Sequence, residues 1–133
     1  MGQPAAKQGD RVVAVDTHIV MVPGPSGPPV PTPLPHPFAA VLSGGLSPDV
    51  KISGRPAATV GSTADNNPPH VPAAPGTSFQ RPPANKATIQ QGSATVKING
   101  KPAARNGDKA LTCNDPADLA AGTVIAVGSV LIG

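Results

Sequence analysis

Residues 50–58 read VKISGRPAA and residues 96–104 read VKINGKPAA, seven identities in nine positions at an offset of 46. A third copy opens the chain as Gly2-Gln3-Pro4-Ala5-Ala6-Lys7-Gln8-Gly9-Asp10. The longer copies continue as Thr59-Val60-Gly61-Ser62 and Arg105-Asn106-Gly107-Asp108. All three therefore share Gly-x-Pro-Ala-Ala-x-x-Gly followed by Asp or Ser, at residues 2–10, 54–62 and 100–108. Three such units predict equivalent positions that converge on a common axis.

Each copy is built around a turn. Val96-Lys97-Ile98 runs into Asn99-Gly100, a dipeptide suited to a type I′ hairpin turn because both central residues need positive φ. Ser53-Gly54 takes the same role in the middle copy. The proline after each turn lacks an N–H, which predicts a strand start or an unpaired edge. The first copy has no Val-x-Ile strand before its glycine. Val130-Leu131-Ile132-Gly133 supplies that pattern at the other end of the chain. The termini are therefore expected to meet, with the last strand completing the first repeat so that no half-hairpin keeps an open edge.

The chain holds three histidines and one cysteine, His18, His36, His70 and Cys113. His18 lies 14 residues after Pro4, His70 lies 14 after Pro56, and Cys113 lies 11 after Pro102. One such side chain alone is more often a packed or exposed residue, and a lone cysteine is usually a small buried hydrophobe. Together they make an N₃S set that suits one tetrahedral zinc, where magnesium and calcium prefer oxygen. Arg11 to Met21 reads as a longer strand, with Val13, Val15, Ile19 and Met21 on one face and Asp16 and His18 on the other. Asp16 is either a hydrogen-bond partner to a ligand histidine or half of a solvent-facing pair.

Two proline-rich connectors separate the units. Pro23 to Pro37 holds eight prolines in fifteen residues, with His36 inside the alternation Pro31-x-Pro33-x-Pro35-x-Pro37; Pro68 to Pro83 holds six and embeds His70. Such segments read as stiff, polyproline-like loops that present a ligand, or as linkers or ligands for proline-binding domains.

Composition sets the remaining limits. The 133 residues make one domain, 1–133, without Trp or Tyr and with two Phe, so the core is limited to Val, Ile, Leu and Ala and a staple is expected. Pro and Gly form about a quarter of the chain, near the level of disordered sequences, but the repeat and the Val/Ile periodicity argue for a fold. A net charge of +3 is scattered, with no aromatic platform for bases, which argues against nucleic acid. The single cysteine and the lack of an apolar leader fit a soluble protein made in the cytoplasm. Catalysis is not expected: Ser26 and Ser43 have no activating partner, four protein ligands close a zinc site, and no small-molecule substrate is implied.

Pro102-Ala103-Ala104-Arg105, with its variants Pro4-Ala5-Ala6-Lys7 and Pro56-Ala57-Ala58-Thr59, resembles the PAAR-repeat family over essentially the whole chain. Lys7 and Thr59 stand where the motif has arginine. The resemblance implies an all-β, cone-shaped domain of short strands and long Pro-rich loops with pseudo-threefold repeats and a zinc-stapled apex. It also implies one structural Zn²⁺ on His18, His36, His70 and Cys113. Such a protein would be the membrane-puncturing tip on a trimeric, valine-glycine-repeat spike of a contractile injection system (type VI secretion, extracellular particle or phage-tail-like). It would be made in the cytoplasm, assembled at the particle tip, and meet the target membrane transiently. The expected spike contact is the broad end, and no effector extension is expected. The rival is a small zinc-stabilised adaptor that docks cargo or a partner of its proline tracts without capping a spike.

Overall fold

The computed structural model describes residues 2–133 and is all-β, with no helix among them. Six strands close an antiparallel barrel that forms the wall of a cone: β2 (Arg11–Val22), β3 (Val30–Gly44), β6 (Thr63–Asn66), β8 (Lys86–Ile89), β11 (Lys109–Thr112) and β12 (Leu119–Ile125). The ring closes where β12 returns to β2, Val124 opposite Val12. Each repeat contributes two strands, one leaving its motif and one coming back.

Three two-stranded hairpins form the end opposite the long loops. They are β4 (Lys51–Ile52) with β5 (Arg55–Pro56), β9 (Lys97–Ile98) with β10 (Lys101–Pro102), and β1 (Gln3–Pro4) with β13 (Leu131–Ile132). The chain ends do meet. Gln3 pairs with Ile132 as Arg55 pairs with Ile52 and Lys101 with Ile98. Ser53, Gly54, Asn99 and Gly100 all have positive φ, as the I′ turns require.

The Pro-Ala-Ala motifs meet on the axis. Ala6 N–H donates to Ala104 O (2.9 Å), Ala104 to Ala58 (3.0 Å) and Ala58 to Ala6 (3.0 Å), a closed ring of backbone bonds. A second ring runs from Gln8 to Pro56, Val60 to Pro102 and Asn106 to Pro4, each 2.9 Å. Ala6, Ala58 and Ala104 are fully buried, and only a methyl-sized side chain lets three backbones approach this closely. The motif's final Asp or Ser also has a task. Asp10, Ser62 and Asp108 accept the backbone N–H of Lys7, Thr59 and Arg105 at 3.0, 3.0 and 2.7 Å.

The core repeats in threes above this ring. Leu42, Ile89 and Val124 form one buried set and Val12, Ala64 and Ala110 another. Below it Ile52, Ile98 and Ile132 cover Ala5, Ala57 and Ala103.

The proline tract departs from the sequence expectation. Pro31 to Pro37 lies within β3, paired over its length with β2, and is not a polyproline loop. The backbone N–H groups of Thr17 and Ile19 point away from β3, to Asn114 and Asp115, so the pairs Thr17–Pro35 and Ile19–Pro33 are the non-hydrogen-bonded ones. The period of two places every proline where no N–H is required.

Candidate metal centre

β2 carries the first candidates. Its even-numbered residues face inward, so Asp16 and His18 lie between Val12 and Val20, all at most 1 % exposed. The outward face holds Val15, 65 % exposed. The two faces group as the alternation predicts, but the buried face is the one carrying the charge, which excludes the solvent-facing reading of Asp16. The buried carboxylate is satisfied by neighbours: Thr112 Oγ1 donates at 2.6 Å and Asn114 Nδ2 at 3.4 Å.

The other candidates arrive from separate segments. The loop after β6 brings His70, whose backbone N–H donates to Asn85 Oδ1 at 2.8 Å and whose Nε2 lies 3.0 Å from Asp16 Oδ2. Cys113, just after β11, places Sγ 3.6 Å from His18 Nε2 and 3.5 Å from Asp16 Oδ2. One ligand atom from each of Asp16, His18, His70 and Cys113 lies within 4.8 Å of all the others.

His36 approaches from β3, directly opposite Asp16, but it is not among the four residues whose ligand atoms converge; Asp16 stands in that set instead. The His36 ring centroid lies 5.4 Å from that of His18 and 5.6 Å from that of His70, while His18 and His70 are 5.0 Å apart. Three imidazoles that share one tetrahedral ion through nitrogens at about 2.0 Å stand at such separations. Both His36 nitrogens already have backbone partners. Nε2 accepts the Ala73 N–H at 3.1 Å, so the proton is on Nδ1, which donates to Leu34 O at 2.9 Å. Phe79, on the short strand β7 (Ser78–Phe79), covers the His18 and His36 rings.

The electrostatics suit a cation. Burial, followed by the neighbouring His70, lowers the pKa of His18 below 6.5 against the upward pull of Asp115 and Asp16. The ring is thus held neutral, the form that ligates metal. Its Nδ1 is buried with no hydrogen-bond partner, 3.5 Å from Asp115 Oδ2. Burial raises the pKa of Cys113, opposed by the backbone N–H groups of Asn85 and Lys86 directed at sulfur. Burial also raises that of Asp115, but the Ile19 N–H and the Arg81 side chain outweigh it and leave the carboxyl below 3.8. A His18 ring with Nε2 toward Cys113 and Nδ1 beside the Asp115 carboxylate, and a thiol with N–H groups already aimed at its sulfur, fit a metal such as zinc.

Asp115, Arg81, Asn114 and Asn85 were not singled out by the sequence. Asp115 and Asn114 had one available signal, adjacency to Cys113. Arg81 and Asn85 had none, since they reach the site only through the folded loop before β8.

A closed cone on a pseudo-threefold backbone ring, with an N/O/S cluster that could hold a metal ion buried among its loops, defines a class of small β-cones with a candidate metal site at one end. The PAAR motif model matches residues 31–117 and 80–132, and the chain belongs to that family. No curated protein matches the chain. The family is a structural one, of spike-tip proteins in contractile injection systems in general.

Proposed function

We propose that this protein is the membrane-piercing tip that caps and sharpens a trimeric β-helical spike, one cap per trimer. The observation that carries the reading is the ring of Ala6, Ala58 and Ala104 with a similar hairpin beside each. A trimeric β-helix ends in open strand edges, which invite unwanted pairing. A single chain with three similar hairpins can cover three such edges. The ligand-type side chains lie at the opposite end: His18 is seven residues along β2 from Arg11, about 20 Å at strand spacing. A narrow end has little room for an apolar core, and coordination can take its place.

The metal in this reading is one structural Zn²⁺ on His18, His36, His70 and Cys113, which requires the Ala73 N–H to give up His36 Nε2 to the ion, with Asp16 and Asp115 as hydrogen-bonding partners of the ligands. A second reading has Asp16 as the fourth ligand, favoured by the compact set it forms with His18, His70 and Cys113. In either, the ion fastens β2, the loop after β6 and the loop after β11 to one point. The protein is made in the cytoplasm, assembled at the particle tip and carried to the target membrane.

Mixing the purified chain with a trimeric spike protein from the same source genome tests the proposal by light scattering after size exclusion. A complex of one chain per three spike chains is expected. Separate elution at micromolar concentrations overturns the cap and leaves the adaptor.

A further inference from the structure

The net charge of this protein is confined to its hairpin end. Lys51 and Arg55 project from one hairpin and Lys97 and Lys101 from the next, all exposed. None of the four takes part in an ion pair among the described residues, whereas Lys7, Arg81 and Arg105 are paired with Asp10, Asp115 and Asp108. The one carboxylate near them, Asp49, is engaged by the side-chain amide of Asn99 at 2.8 Å. Elsewhere six cations are matched in number by six carboxylates, three of the cations in ion pairs and Arg11, Lys86 and Lys109 in none among the described residues, so by count the whole excess of +3 lies in this group. The sequence makes this charge look scattered; the fold gathers it.

The third hairpin breaks the pattern. Register puts Leu131 where Lys51 and Lys97 stand, and Gln3 where Arg55 and Lys101 stand. Leu131 is 59 % exposed and uncharged. The hairpin end thus presents two cationic faces and one neutral, partly apolar face around the same axis.

We infer that this end docks onto a threefold protein surface rimmed by aspartate and glutamate, with the cationic hairpins against two partner chains and the Gln3–Leu131 hairpin against the third. The inference rests on the capping reading and adds the chemistry of the partner. Four unpaired cations on short, exposed hairpins retain their charge for an external partner. Rim charges of this kind act chiefly on encounter rate and salt dependence, while the buried isoleucines beneath set the shape. The threefold symmetry of the partner makes the three rotations of the cap equivalent, so the neutral hairpin can stand against any one of its chains.

The test is binding of the full-length chain to its purified trimeric spike, measured by biolayer interferometry at 50 and 500 mM NaCl. The parent affinity is expected to fall at least tenfold between the two salts. The variants K51E/R55E and K97E/K101E are each expected to weaken low-salt binding at least tenfold and to flatten the salt dependence. L131E, beside the same rim, should be harmful through added repulsion. Unchanged melting temperature and metal content show that the variants fold. A complex forming equally well at both salts and in both reversals overturns the acidic partner while leaving the cap intact. No complex with the parent chain at either salt overturns both. Salt-dependent binding to phosphatidylserine vesicles, abolished by the reversals while spike binding persists, would assign the charge to a membrane and overturn the inference.

Discussion

Deleting residues 129–133 removes the strand that completes the first repeat, and the structure allows the cost to be worked through. Ile132 is 6 % exposed and packs in the apolar cluster beneath the alanine ring. Its burial is worth about 1.5–3 kcal/mol, an upper estimate because the unfolded chain already hides some surface. Ala5, 2 % exposed, donates its N–H to Val130 O at 2.9 Å and loses that acceptor, at about 1–3 kcal/mol. Gly133 O accepts from Arg105 Nη1 and from Ser93 Oγ, each bond contributing about 1 kcal/mol. The total is about 5 kcal/mol, against a stability of about 5–15 kcal/mol for a domain. At about 4 °C per kcal/mol for this size, the melting temperature falls by about 20 °C. Far-ultraviolet circular dichroism is the suitable probe, since the chain has no Trp or Tyr. Leu131→Ala is the control: its side chain is 59 % exposed and its loss should stay within about 0.5 kcal/mol. A truncated chain melting within about 5 °C of the parent, or a control as damaging as the deletion, would refute the closed-ring reasoning.

Elemental analysis of the untagged chain is expected to give about one zinc per molecule, and Cys113→Ser to release it, with a loss of stability beyond any surface serine exchange. Comparing His36→Ala with Asp16→Asn by competition with a chelator separates the two ligand sets: the ligand's loss prevents tight binding, whereas the partner's loss weakens it about 10–100-fold. Metal-free protein should lose stability as the pH falls below 6.5. His18 has its folded pKa lowered, so the unfolded chain takes up the proton first and unfolding is favoured; above 6.5 both states are neutral and the term vanishes. A metal-free melting temperature flat between pH 7.5 and 5.5 contradicts this. Gly122→Ala should cost about 1–3 kcal/mol in urea unfolding, because its Cβ would stand 2.8 Å from Thr112 Cγ2 and 2.9 Å from Val12 Cγ1 where β12 crosses to β2; a neutral effect would mean this corner is loosely packed.

The repeat was legible in the sequence because the physics behind it is local. A type I′ turn needs residues that tolerate positive φ, an axis needs methyl-sized side chains, and the motif's closing Asp or Ser satisfies an N–H only three residues away. The pairing of Gln3 with Ile132 is not local, but it was legible because the first repeat lacked the strand before its turn and Val130-Leu131-Ile132-Gly133 carried that pattern. The ligand residues could be named by type and phase. Their surroundings could not.

Tertiary structure decided the rest. Which face of β2 is buried depended on closure of the barrel, because alternation groups residues without saying which group faces in. The proline tract became a strand because the register with β2 set every proline opposite a non-hydrogen-bonded position. Asp16 entered the ligand cluster because His70 and Cys113 arrive from segments 54 and 97 residues away. Sequence by itself determined the three units, their turns and the residue types at the site. Only the folded chain decided which atoms meet and where the charge collects, because both depend on distances between segments that local chemistry does not set.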